Sequence, residues 1–256
     1  MTDWTAGDFD YDSHGGGYTN IRRPDLRIAA QVVGALGDAR TVLNVGAGAG
    51  SYEPTDRYVA AVEPSSTMRA QRPSRLAPAI DAVADSLPFD DAAFDAAMAV
   101  LTVHHWPDIG AGLRELRRVT RGPVVVLTFD GPALERFWLN EYAPELIAVE
   151  RRRYPTIELI CDALGGTCTV DVVELPFDCP DGFGDAFYGR PEQFLDPAVR
   201  KAQSGWGFVD AEAETRAVDR LRVDLDSGEW DRLYGNLRTQ PTYEGAVRLV
   251  RATPNL

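Results

Sequence analysis

Thr41-Val42-Leu43-Asn44-Val45-Gly46-Ala47-Gly48-Ala49-Gly50-Ser51 is the stretch whose reading decides the fold. Apolar and β-branched residues lead into a turn with glycine at every second position. Such a turn lets φ become positive and brings backbone amides close to a ligand. The next apolar run, Tyr58-Val59-Ala60-Ala61-Val62, ends on Glu63, 17 residues after Gly46. A carboxylate roughly 20 residues beyond a turn of this kind reaches a pair of ribose hydroxyls. Together these features point to an adenosine-containing cofactor.

Outward from the turn, strands and helices alternate. Before it, Leu26, Ile28, Ala29, Val32, Val33 and Leu36 share one side at helical spacing, with Pro24 suited to a first turn and Gly37 to a stop. Strands are predicted over 41–45, 58–63, about 80–84, 94–100 and 124–129, the last apolar on both faces as a central parallel strand is. Pro64-Ser65-Ser66-Thr67-Met68 opens a short helix that Pro73 ends, and a second helix follows Pro107-Asp108. This alternation predicts a doubly wound α/β sheet. Beyond Asp130, residues 133–164 read as helix interrupted at Pro144 and Pro155, and 169–175 and 246–252 as strands.

Residues 181–234 carry eight aromatics, an excess that suits a small lobe with its own core or an aromatic wall roofing a cleft. Near the N-terminus, Tyr11, His14, Gly15-Gly16-Gly17 and Tyr18 form either a hinged flap or a leader. The expected units are a flap or leader over 1–23, a core over 24–180 and 240–256, and a helical cap over 181–239. This cap is expected to choose the substrate.

With 39 acidic and 26 basic residues the formal charge is −13, which disfavours a nucleic-acid partner. The run Arg151-Arg152-Arg153 reads as a solvated helix face. Cys161, Cys168 and Cys179 are odd in number and lack metal-knuckle spacing, so they are expected as reduced thiols, with no metal site. An acidic, polar start lacks the pattern of a signal peptide, and no apolar run approaches the ~18 residues that cross a bilayer. The expectation is a cytoplasmic protein, monomer or homodimer, with no membrane partner.

A dinucleotide fingerprint leaves two residues between its second and third glycines, at the start of a helix that cradles pyrophosphate. Here Gly50 comes one place early and Pro54 soon follows, so that helix is shortened and the turn suits a ligand without phosphate. The chain resembles the class I S-adenosylmethionine-dependent methyltransferases, small-molecule type 11 group. The resemblance rests on the glycine stretch through Pro54, Val62-Glu63-Pro64-Ser65, Ala84-Asp85-Ser86-Leu87-Pro88-Phe89, and Phe94-Asp95 through His104-His105-Trp106.

That resemblance implies a mostly parallel seven-stranded Rossmann-like sheet with an antiparallel last strand, and S-adenosylmethionine as cofactor. It implies that Gly46, Ala47 and Gly48 face the methionine part, Glu63 the ribose and Asp85 with Ser86 the adenine, that Val100 and Leu101 lie under the sulfonium, and that Gly50 and Pro64 also border the cofactor. The family usually has Asp where this chain has Asn44. Tyr18 and Arg23 are expected to close over the cofactor from the flap, an arginine meeting its carboxylate. His104 and His105, at a sheet edge that binds ligands, are the candidate bases, His104 ahead of His105. The expected activity is methyl transfer to a small planar or apolar acceptor. A catalytically silent protein of the same fold and an NAD-dependent enzyme are the alternatives.

Overall fold

A computed structural model describes residues 9–255 of the chain. Seven strands form one sheet in the order β3-β2-β1-β4-β5-β7-β6. They are β1 Thr41–Val45, β2 Tyr58–Val62, β3 Ala79–Ile80, β4 Ala96–Val100, β5 Val124–Phe129, β6 Thr167–Pro176 and β7 Thr242–Thr253. β1 runs parallel to β2 and β4, β2 to β3, and β4 to β5; β7 runs antiparallel to both β5 and β6. This is the mostly parallel α/β sheet with an antiparallel last strand. β3 is shorter than its sequence suggests, because it lies at the sheet edge and 82–84 leave it to wall a cleft.

The period-two alternation of strands divides the core between the two faces. Val42, Val125 and Leu127 pack on one side with Ile28 and Val32 of α1, Leu26–Ala35. Leu43, Val124 and Val126 pack on the other with Leu113 and Leu116 of α3, Ile109–Arg118, and Ile160 of α5, Ile157–Leu164. Between them in the chain come α2, Ser66–Ala70, and α4, Pro144–Arg153.

Side-chain caps set where the helices begin. Asp25, not Pro24, caps α1, accepting from the Arg27 amide at 2.8 Å, and this start leaves Leu26 84% exposed instead of on the apolar face. Ser65 caps α2 and Asp108 caps α3. Pro144 opens α4 rather than interrupting a helix, as its fixed φ and missing N–H allow. No helix among the described residues is long and apolar enough to cross a membrane.

Three expectations are corrected here. Cys161 and Cys168 are disulfide-bonded, leaving only Cys179 free. Gly165 and Gly166, both at positive φ, fold β6 back beside the end of α5 and bring the two Cα atoms to 5.8 Å. The arginine run does not share one fate: Arg151 and Arg152 are exposed but Arg153 is buried. The aromatics of 181–234 build no core of their own. Phe187, Tyr188, Phe194, Trp206 and Trp230 join the same apolar cluster as Ile28 and Val125; Phe194 and Trp230 pack edge-on against Trp138, whose indole N–H donates to the Tyr188 carbonyl at 2.8 Å.

Three segments meet at Asp181, which is 1% exposed. One carboxylate oxygen accepts from Arg22 Nε at 2.5 Å and the other from the Tyr52 hydroxyl at 2.7 Å. Tyr52, just past the glycine turn, holds a left-handed φ of 61° that the surrounding contacts must maintain. Removing one partner of a buried ion pair costs about 3–5 kcal/mol, because the other charge is left buried alone. Asp181→Ala is therefore expected to lower unfolding free energy by about that amount in urea titrations; a change under about 1 kcal/mol would contradict the junction's role.

Candidate functional site

The glycine turn, the ends of β1, β2 and β4, and the N-terminal segment enclose a cavity of about 460 Å³. It opens at the carboxyl ends of parallel strands, beside the point where strand order reverses between β1 and β4, the usual ligand position in such sheets. Gly46, Gly48 and Gly50 have φ of 67°, 50° and 93°. A Cβ on Gly46 would lie 2.1 Å from Thr102 Oγ1, so the turn approaches the end of β4 only because that atom is absent.

Glu63 spans the mouth of the turn. Its carboxylate accepts from the Gly48 amide at 2.8 Å and from the Ser65 amide at 2.9 Å, one bond to each oxygen, which leaves further lone pairs on both. Burial pushes its pKa up, and the two amides pull it back. Behind the turn, Asn44 donates from its amide to Glu53 at 3.0 Å, and Glu53 receives Arg72 at 2.9 and 3.0 Å. Arg72 also reaches the Gly48 carbonyl at 3.4 Å. Here lies a physical reason for Asn at a position where the related family usually has Asp: an Asp would face the buried Glu53 carboxylate, whereas the amide donates to it.

The N-terminal segment forms the roof. Asp12 accepts from Ser65 Oγ at 2.7 Å and the Thr67 amide at 3.0 Å, and Gln71 donates to the Gly15 carbonyl at 2.9 Å. Phe9, Asp10, Tyr11, Asp12 and Tyr18 line the cavity from this side. The side chain of His14 and residues 1–8 lie outside what the structure describes.

Of the site residues expected from sequence, Gly46, Ala47, Gly48, Glu63, Pro64, Val100, Leu101, Tyr18 and His105 line this cavity. Gly50, Asp85, Ser86, Arg23 and His104 do not. Asp85 and Ser86 are exposed, and Ala82, Val83 and Ala84 form the wall in their place. Arg23 is exposed and donates to the Asn20 carbonyl at 3.2 Å. Arg22 turns inward instead, but toward Asp181 and a second cavity. Phe9, Asp10, Asp12, Met68 and Thr102 also line the cavity, and no local pattern in the sequence marks them, since they come together only across the fold.

The second, inner cavity of about 60 Å³ shares Tyr11, Leu101 and His105 with the first. Leu101 holds a positive φ of 51° at this boundary, a strained conformation of the sort found at functional sites. Phe129, Phe137, Leu139, Leu146 and Phe183 make its apolar wall, so most of it comes from 129–154 and only Phe183 from the aromatic excess of the cap.

His105 is fully engaged. Arg153 approaches its Nδ1 at 3.2 Å, and since a guanidinium only donates, the neutral ring carries its proton on Nε2 and donates to the Tyr11 hydroxyl at 2.9 Å. Burial and then the Arg153 charge hold its pKa well below 6.5. No lone pair remains there for a base. His104 is 4% exposed, lies 4.4 Å ring to ring from Tyr154, and its Nδ1 has no partner among the described residues. Burial, His105 and Arg153 keep it neutral as well.

Two carboxyls also line the inner cavity. Burial pushes Glu150 up, against the pull of Arg153 at 3.7 Å. Asp185, 1% exposed, accepts from the Ala246 amide at 2.6 Å and is pushed up to about 6, again by burial.

Comparison with known proteins fits this geometry. Residues 43–126 match a family model described as a methyltransferase domain. A putative methyltransferase from an antibiotic biosynthesis pathway of Anabaena variabilis shares 28% identity and a TM-score of 0.83, with 91% of this chain and 99% of that one covered. An uncharacterized Escherichia coli protein, YafE, is 40% identical over 61 residues, 22% of this chain and 30% of its own. A demethylmenaquinone methyltransferase of Mycolicibacterium gilvum is 36% identical over 103 residues, 38% of this chain and 45% of its own. The chain thus spans less than half the length of these two curated relatives. Sheet order, glycine turn and cleft define the class I methyltransferase fold. Within it, residues 43–126 are the part that matches the methyltransferase domain model.

Two substitutions probe the site's electrostatics. Asn44→Asp places two carboxylates together in a buried network and is expected to cost about 1–3 kcal/mol of stability at neutral pH, read by urea unfolding; a neutral effect would refute the account of Asn44. Asp185 has a folded pKa of about 6 against an ordinary 3.8, so its ionised form is penalised by folding and stability falls as pH rises through that interval. Asp185→Asn removes the penalty and is expected to raise stability on the order of 2–3 kcal/mol near pH 8 and little near pH 4, in parallel thermal melts.

Proposed function

We propose that the chain transfers the methyl group of S-adenosylmethionine to a small acceptor held in the inner cavity. The observation that carries this reading is the lining of the outer cavity: Glu63, Asp10 and Asp12 face it, and no Lys or Arg is among its described lining residues. A pyrophosphate would meet repulsion there, whereas a ligand with a sulfonium, an ammonium and a ribose diol meets carboxylates. The residues present therefore fit S-adenosylmethionine and argue against a dinucleotide. When bound, the cofactor supplies an activated methyl group.

In this reading Gly46, Ala47 and Gly48 border the methionine part and Glu63 accepts from the ribose hydroxyls. Ala82, Val83 and Ala84 flank the adenine, while Val100 and Leu101 separate cofactor from acceptor. Tyr11, Tyr18 and Asp12 cover the cleft and exclude water, a condition under which positioning alone supplies much of the acceleration. His104, which lines the inner cavity, is the candidate proton acceptor. His105 orients Tyr11 instead. The acidic charge of the chain and the small volume of the inner cavity favour a small molecule over a nucleic acid.

Glu63→Ala is expected to weaken binding of S-adenosylhomocysteine at least tenfold in calorimetry. Unchanged affinity in a folded variant would sink the ribose assignment.

A further inference from the structure

The inner cavity, at about 60 Å³, has room for a few atoms rather than for a whole acceptor. The rest of an acceptor must lie in a space that adjoins it. One such space is the outer cavity, which the cofactor takes. The other is a third cavity of about 210 Å³, between the N-terminal segment and the short helix Pro197–Lys201. Tyr11 and Ser204 line both this cavity and the inner one, and Tyr11 alone among the described residues lines all three. Gly16, Gly17 and Ala198 at its rim are exposed, so it opens to solvent. A Cβ built on Gly16 would meet nothing within 4 Å, which shows the space there to be free.

Charge sets this cavity apart. Asp10, Asp12 and Glu63 line the outer cavity, and Glu150 and Asp185 the inner one. The third has no Asp or Glu among its described lining residues, and the charged group on its wall is Lys201, the only lysine in the chain. Its neighbour Arg200 is held by Glu214 at 2.6 Å, and Arg22 in the inner cavity by Asp181 at 2.5 Å. The Lys201 ammonium has no such partner among the described residues. In a chain with a formal charge of −13, a free cation in a cavity without acids is a place where an anion meets attraction instead of repulsion. We propose that this third cavity holds the end of the methyl acceptor remote from the accepting atom, and that Lys201 pairs there with a carboxylate. A lysine offers one compact charge on a flexible stem rather than the bidentate fork of an arginine, which matches a monoanion. The acceptor is accordingly a small carboxylic acid whose carbon skeleton passes Tyr11 into the inner cavity. This inference rests on the cofactor reading above and names the substrate class of the same site.

The test is calorimetry at low ionic strength on the full chain saturated with S-adenosylhomocysteine, using 3-phenylpropanoate, 4-phenylbutanoate and indole-3-propanoate, each against its neutral primary amide. At least one acid is expected to bind more tightly than its amide by about fivefold or more, the effect of one well-placed ion pair. That preference is expected to fall below about twofold in Lys201→Gln, with S-adenosylhomocysteine affinity unchanged, which shows the variant to be folded. Because the chain has one lysine, acetylation of Lys201 can also be followed by mass spectrometry, and the bound acid is expected to slow it where the amide does not. Equal binding of acids and amides, a preference that survives Lys201→Gln, acetylation that no acid slows, or no binding by any acid overturns the proposal. Titration of S-adenosylhomocysteine alone separates the two readings. A chain that binds it but shows no preference for an acid loses only this inference, whereas one that does not bind it loses the cofactor reading and this inference with it.

Discussion

The contact of Asp181 with Arg22 and Tyr52 is the constraint on which the closed form of the molecule depends. Through one buried carboxylate it joins the N-terminal segment, the end of the glycine turn and the start of the cap. Arg22 then forms part of the inner cavity, and Tyr52 keeps its left-handed backbone. A single ion pair so placed couples the roof of the outer cavity to the wall of the inner one. Its energy comes less from attraction than from the penalty of leaving either charge buried alone.

The two cavities divide the chemistry by electrostatics. The outer one is acidic, with no Lys or Arg among its described lining residues and a carboxylate set across a turn of backbone amides. The inner one is walled by rings and leucines and is lined besides by Glu150, Asp185 and His104. Leu101 and His105 stand between them, and Arg153 and Tyr11 fix the tautomer and orientation of His105. A histidine that from sequence resembles a base is, once its neighbours are known, a fixed hydrogen-bonding post. His104, one residue away, keeps the free nitrogen.

The core was legible because its cause is local. Period-two strands, capping residues and punctuating glycines and prolines act over a few positions, and β1 and β5 fall at the bounds their patterns predict. Glu63 was legible for the same reason, lying at a fixed distance from the turn along one strand. Asp85, Ser86 and Arg23 are exposed and lie outside the lining of the outer cavity, since β3 ends at Ile80 and the chain that follows presents 82–84 to the cleft. The aromatic excess suits either a lobe with its own core or a wall over a cleft; a ring's fate depends on what lies opposite it, and most of these rings join the main core.

By itself the sequence determined a doubly wound sheet, its glycine turn and the carboxylate that closes it, since each follows from short-range pattern and backbone geometry. Only the tertiary structure decided that Asn44 donates to Glu53, that Cys161 meets Cys168, that Arg153 is buried against His105, and that Glu150, Asp185 and His104 share one small cavity. Glu150 and Asp185 lie 35 residues apart in the chain. What brings them together is the packing of α4 and the cap over the ends of the strands, and no spacing along the sequence encodes that distance.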